Sequence, residues 1–165
     1  IINTDWPSLA GQNQKYLYDQ LGYFVSGERE NALMTAVIPY LKTLSSNELL
    51  DIAAYYAESS ASVGQADSDA NLLALGESLY RSGDLNRGIP ACTACHSLYG
   101  EGNVQAGFPK ISGQQKGYLV STLKEYRSQV RNAGNYALVM QAASANLKDD
   151  DIEALANYMH GLYRK

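Results

Sequence analysis

The chain has 165 residues, room for one domain or two small ones, and 45% of them are apolar, enough to build a core. Its net charge is −4, and all of that imbalance lies in residues 1–66, where three Lys/Arg face seven Asp/Glu. Residues 67–165 balance at ten against ten, so there is no basic footprint for nucleic acid, and no run reaches the about 18 consecutive apolar residues that suggest a membrane span.

The elements read as helices throughout. Gln12 to about Ser26 is the first. Ser45-Ser46-Asn47-Glu48 is a capping box that opens a second helix running to about Glu58. Ser59 to Asp69 is rich in Ser, Ala, Gly and Asp, with little apolar content, and reads as a linker. Leu72 to Arg81 is a short helix, and Gln114 to about Val130 a longer one. Asn132 to Asn146 reads as irregular. A last helix begins with Asp149, Asp150 and Asp151, whose negative charge suits the dipole of its first turn.

The chain repeats itself. Trp6-Pro7-Ser8-Leu9-Ala10-Gly11-Gln12 matches Phe108-Pro109-Lys110-Ile111-Ser112-Gly113-Gln114 at an offset of 102. Leu44 to Tyr56 matches Leu147 to Met159 at an offset of 103. In the second match Leu49, Ile52, Ala53 and Tyr56 coincide with Ile152, Leu155, Ala156 and Met159, an i, i+3, i+4, i+7 helix face. Two copies of one unit are therefore present.

In the second copy, ahead of the Phe108 block, stands Cys92-Thr93-Ala94-Cys95-His96. Cys-x-x-Cys-His is the attachment string of a c-type haem. The two thiols form thioethers with the porphyrin, and the adjacent imidazole binds the iron. A redox disulfide expects a βαβ setting, and no strands are visible. A zinc site needs about four ligands, and the chain offers only Cys92, Cys95, His96 and His160, with two of them adjacent. The string has no counterpart in the first copy. By the offset it would fall about ten residues before Ile1, with its preceding helix farther upstream. The first copy is therefore missing its start or reduced. The missing start is the preferred reading, because a small domain stripped of a helix has little stability to spare.

His96 supplies one axial bond, and Met140, just before the last helix, is the candidate for the other. A thioether stabilises ferrous iron and raises the reduction potential. Met159 lies on the apolar helix face and reads as core, and His160 suits that helix's C-terminal end. Met34 holds the place of Met140 in the first copy. It is the axial ligand of a first haem if one exists, and core otherwise.

With Arg87-Gly88-Ile89-Pro90-Ala91 leading into the haem string, then Gly107 to Gln114, Met140, and Leu147 to Tyr158, the chain resembles class I cytochromes c. More closely, it resembles the tandem dihaem periplasmic cytochromes of the c4 type. The resemblance implies an all-α fold of two tandem class I cytochrome c domains, the first lacking its N-terminal helix and haem motif in this chain. The divisions expected are residues 1–60, a linker at 61–70, and residues 71–165 with the covalent haem. It implies that the Pro109 carbonyl accepts a hydrogen bond from His96 Nδ1–H, and that Ile111 packs on the haem face. Gly76 and Tyr80 should meet Leu155 and Tyr158 where two helices cross.

The function so implied is electron transport in the respiratory chain, not catalysis. Electrons would arrive from a quinol-oxidising cytochrome bc complex and leave to a haem–copper terminal oxidase, through heme c. One such group follows from the motif, and a second follows if an upstream segment is missing. No nucleic acid and no small-molecule substrate is expected as a partner. Haem c attachment points to the periplasm, with the protein soluble or membrane-associated. Lys110, Lys116, Lys124, Arg127 and Arg131 either ring a docking patch or are ordinary solvated charges. A fixed haem subunit of a dehydrogenase or oxidase complex is the alternative, and a gas sensor or peroxidase in which the Met140 bond opens is a third reading.

Overall fold

The computed structural model describes residues 3–164. Eight α-helices follow in order: α1 (Gln14–Ser26), α2 (Ile38–Leu41), α3 (Ser46–Glu58), α4 (Ala70–Ser82), α5 (Thr93–His96), α6 (Lys116–Arg127), α7 (Ala137–Ser144) and α8 (Asp149–Gly161). Among the described residues, β-pairing is limited to two isolated bridges, Asp84 with Ile89 and Asn103 with Phe108. The all-α expectation is met.

Local chemistry sets the helix ends. The Ser45 hydroxyl accepts the Glu48 N–H while the Glu48 carboxylate accepts the Ser45 N–H, closing the capping box at the start of α3. Asp69 caps α4 through the N–H groups of Asn71 and Leu72. At α8 the Asp151 carboxylate accepts the Lys148 N–H at 2.7 Å and is buried against Arg87, also at 2.7 Å. One sequence expectation fails. The stretch from Asn132 to Asn146 is not irregular throughout, because Ala137–Ser144 forms α7. Its high apolar content hides the helical period when the pattern is read alone.

Two apolar clusters hold the molecule together. The larger is built from Leu79, Tyr80, Ile89, Leu119, Leu123, Leu147, Ile152, Leu155, Ala156, Met159 and Leu162, where α4 and α6 pack on α8. α4 crosses α8 at Gly76, where an added Cβ would collide with the Ala154 carbonyl oxygen and the Tyr158 Cβ. The Tyr80 and Tyr158 rings meet there with centroids 5.4 Å apart. The smaller cluster is Phe24, Leu41 and Leu49, where α1 packs on α3.

The two copies face each other through matched contacts. Gln12 Oε1 accepts the Lys110 N–H at 2.7 Å, and Gln12 Nε2 donates to the Lys110 carbonyl at 2.8 Å. Gln114 makes the same pair with Ser8, at 2.7 and 3.0 Å. Both the glutamines and their targets are 102 residues apart, so the contact is self-complementary in the manner of a two-fold interface. Within each copy the same glycine N–H ties the repeated block to its last helix: Gly11 to the Tyr56 carbonyl at 2.8 Å and Gly113 to the Met159 carbonyl at 2.9 Å. Residues 60–69 carry no helix, yet they are pinned by the side chain of Asn157, which pairs with the Asp67 N–H and carbonyl.

Candidate haem site

The short helix α5 presents the motif. Cys92 stands at its N-cap position, and Cys95 and His96 lie in its single turn, which the His96 N–H closes onto the Cys92 carbonyl at 3.0 Å. Neither thiol is in a disulfide. Burial pushes the Cys92 thiol up to about 11, so it stays protonated and is no thiolate nucleophile at neutral pH. Among the described residues no three His, Cys, Asp or Glu side chains gather into a metal cluster, which leaves the zinc reading without a ligand set.

His96 is only 8% exposed. Its Nδ1 lies 3.0 Å from the Pro109 carbonyl oxygen. A carbonyl can only accept, so Nδ1 carries the proton and Nε2 keeps its lone pair. Burial lowers the histidine pKa, against the opposing pull of that hydrogen bond, and so favours the neutral, ligating imidazole. The loop that brings Pro109 to this place is built by Gly102 and the Asn103–Phe108 bridge. Gly102 has φ of 74° and its N–H reaches the His96 carbonyl at 3.0 Å. A Cβ there would collide with the carbonyl oxygens of Phe108 and Pro109. The Asn103 and Phe108 main chains exchange bonds of 3.1 and 2.9 Å. The Tyr80 hydroxyl donates to the Ser97 carbonyl at 2.7 Å and fixes the far side of α5.

Met140 sits on α7, with its N–H bonded to the Tyr136 carbonyl. It is half-buried against the larger cluster, against which Cys92 and Ile111 also pack. The chain thus offers two free thiols and an imidazole with one ring nitrogen committed to a carbonyl on a single turn, and a thioether and one of those thiols packed on a common apolar cluster. That donor set fits a covalently held haem. Met34 is elsewhere, half-buried against the smaller cluster. Met159 is core at 3% exposure, and His160 Nδ1 lies 2.7 Å from the Gln114 carbonyl.

Two features were not visible in the sequence reading. Arg131 is not a solvated docking cation, because it is buried at 5% exposure among side chains of both copies. The Gly102–Asn103–Phe108 closure was also missed, although Gly102 and Gly107 bracketing the segment was a signal for it. Of the other cations, Lys116 pairs with Asp67 at 2.8 Å, and Arg127 and Lys124 pair with Asp149 at 2.7 and 3.6 Å.

Comparison with known proteins identifies the family. The cytochrome c family model matches residues 73–162. Cytochrome c4 of Pseudomonas aeruginosa is 41% identical over 159 residues, which is 96% of this chain and 77% of that protein. The thiosulfate dehydrogenase electron acceptor of Thiomonas intermedia is 34% identical over 157 residues, 93% of this chain and 69% of that one. Among solved structures, reduced recombinant cytochrome c4 from Pseudomonas stutzeri superposes with a TM-score of 0.90 at 40% identity, covering 98% of this chain and 87% of the other.

Proposed function

The chain belongs to the cytochrome c family, in its cytochrome c4 group, and on that premise we propose that it takes electrons from a quinol-oxidising cytochrome bc complex and passes them to a haem–copper terminal oxidase in the periplasm. The coarser statement stands on the family itself: this is a heme c electron carrier with redox proteins as its partners. When bound, the haem supplies a one-electron change at iron with no bond made or broken in a substrate.

The chain's own residues do the rest of the work. Cys92 and Cys95 would hold the group through thioethers. His96 would offer Nε2 to the iron, and the Pro109 carbonyl keeps that ring in one tautomer and one orientation. Met140 would supply the other ligand, and Ile111 would pack against the group. Apolar walls from the larger cluster would hold down the dielectric around the iron and favour its ferrous state. The division into residues 1–60, 61–70 and 71–165 is part of the same proposal, with Met34 as the axial ligand of a first haem. Among the described residues no helix is long and apolar enough to cross a membrane.

The observation that carries the reading is the buried His96 held through Nδ1 by the Pro109 carbonyl, with Cys92 and Met140 each packed against the larger apolar cluster. A second reading has its own support. Because a relative covering 93% of this chain is named a thiosulfate dehydrogenase electron acceptor, a dehydrogenase is the donor in that reading. Mixing the oxidised holoprotein with either donor decides between them. Rapid haem reduction by bc complex plus quinol, and slow reduction by thiosulfate dehydrogenase plus thiosulfate, is the expected result. The reverse order would replace the first reading by the second.

A further inference from the structure

The Asp151 carboxylate is buried at 4% exposure, and two distant segments share it. It accepts the Lys148 N–H at 2.7 Å, at the start of α8. It also accepts Arg87 Nη2 at 2.7 Å, from 64 residues earlier in the chain. Arg87 is held in turn by its own loop. Its Nε stands 3.0 Å from Asp84 Oδ2, and the Asp84 and Ile89 main chains exchange bonds of 2.8 and 2.9 Å around it. Ile89 is buried in the larger apolar cluster, and the chain runs from it directly into Cys92.

The other end of the pair lies beside Met140 in the chain. Lys148 belongs to the turn that joins α7, which carries Met140, to α8. Leu147 in that turn is buried in the same cluster as Ile89, and its carbonyl accepts Arg127 Nη1 at 2.8 Å. The loop and the turn also touch directly, since a Cβ built on Gly88 would stand 3.2 Å from Asn146 Nδ2. The ion pair therefore ties the lead-in of the Cys92–His96 string to the turn that follows the helix of Met140.

Capping α8 does not require this arrangement. Glu48 holds the place of Asp151 in α3, at the offset of 103, and closes its box with Ser45 while exposed. Among the described residues it forms no ion pair. Stability does not require it either. A buried ion pair is about as stable as apolar side chains of the same shape, because desolvation offsets the attraction. What it adds is a single permitted geometry, since only one arrangement keeps both charges paired and hydrogen-bonded.

We propose that Arg87 and Asp151 are positioning residues for the axial methionine. Their pair locks the segment leading into Cys92–His96 to the turn after α7, and so holds Met140 where it can serve the same iron as His96. The inference rests on Met140 being the second ligand, as proposed above.

The test is the holoprotein of the double variant Arg87→Gln with Asp151→Asn. It removes both charges together and leaves no buried ion unpaired, while an amide oxygen at position 151 can still accept the Lys148 N–H. Three quantities are read: the rate at which the ferrous protein takes up carbon monoxide, which must displace the methionine, the long-wavelength band of the ferric protein, and the midpoint of denaturant unfolding. Carbon monoxide uptake should quicken by about tenfold, the effect of losing one charge-assisted hydrogen bond that only the ligated arrangement makes. The band should weaken, and the unfolding midpoint should stay near that of wild type. Arg87→Lys, which keeps the charge, should restore most of the slow uptake.

Unchanged uptake and band in the double variant overturn the proposal. So does faster uptake that comes only with a matching fall in the unfolding midpoint, because the pair would then be general support. A wild-type holoprotein that lacks the band and takes up carbon monoxide at once removes Met140 from the iron, and the clamp falls with it. If the double variant does not fold, Arg87→Gln alone is read in the same ways, since that side chain is 30% exposed and its replacement opens no cavity.

Discussion

The same helix is packed in two different ways in the two halves of this molecule. In α8, Ile152, Leu155, Ala156 and Met159 are all buried, because α4 crosses one side and α6 lies along another. In α3 the matching face is Leu49, Ile52, Ala53 and Tyr56, and only Leu49 and Ala53 are buried. Its packing partner among the described residues is α1, and Tyr55 beside that face is 69% exposed. A shared apolar period therefore specifies a helix and its face, and the depth of burial depends on how many elements lie against that face. The Cys92–His96 string and Met140 lie on the half where the face is covered from two sides.

The largest expected contrast concerns ligation. Met140→Ala should abolish the weak long-wavelength band of methionine-bound ferric haem for the group held by Cys92 and Cys95, and lower its reduction potential. Met34→Ala should leave that group's band and potential unchanged. An unaltered band in Met140→Ala would remove Met140 from the iron, and a lost one in Met34→Ala would collapse the distinction between the halves.

Next comes the core. Leu155→Ala should cost about 2–5 kcal/mol in denaturant unfolding, and Ile52→Ala at the matching place in α3 about 1 kcal/mol, because a half-exposed site loses less contact and leaves less cavity. Equal costs would mean that the face of α3 is as well covered as that of α8.

Two helical glycines give a contrast of opposite sign. Gly76→Ala forces α4 away from α8 and should destabilise by about 1–3 kcal/mol. At Gly22 of α1 an added Cβ meets nothing within 4 Å, so Gly22→Ala should stabilise by about 0.5–1 kcal/mol through helix propensity alone. A thermal melt of each variant reads both.

The smallest effect is one of pH. The Arg127 hydrogen bond, then the Lys124 and Arg127 charges, hold Asp149 below its ordinary 3.8. A depressed carboxylate contributes stability above its ordinary value, and that contribution is lost as pH falls through the folded one. Wild type should therefore lose a small increment on acidification below about pH 4 that Asp149→Asn lacks. Superimposable acid-melt curves for the two proteins would show the pair to be idle.

Much of the fold was readable in the residues alone. The Ser45–Glu48 box, the apolar face from Leu49 to Tyr56, the aspartates opening α8 and the Cys92–His96 string are each encoded within a few positions. What such signals describe is local: a cap satisfies donors one turn away, a helical period reflects one face, and a haem string needs three side chains on a single turn. The placement of Met140 on a helix was missed because Ala137 to Ala143 is apolar nearly all round, and a uniform stretch has no period to detect.

Tertiary structure alone decided the rest. Arg131 reads as a surface cation, since nothing beside it in sequence marks it as buried. Its surroundings come from Tyr16 and Gln20, more than a hundred positions away. Gln12 and Gln114 likewise reveal their roles only once the two copies face each other. The sequence by itself determined the helices, the repeat and the covalent haem motif, because those depend on neighbours along the chain. Burial, and with it the cost of leaving a charge unpaired, depends on neighbours in space, and those were settled when the two copies closed on one another.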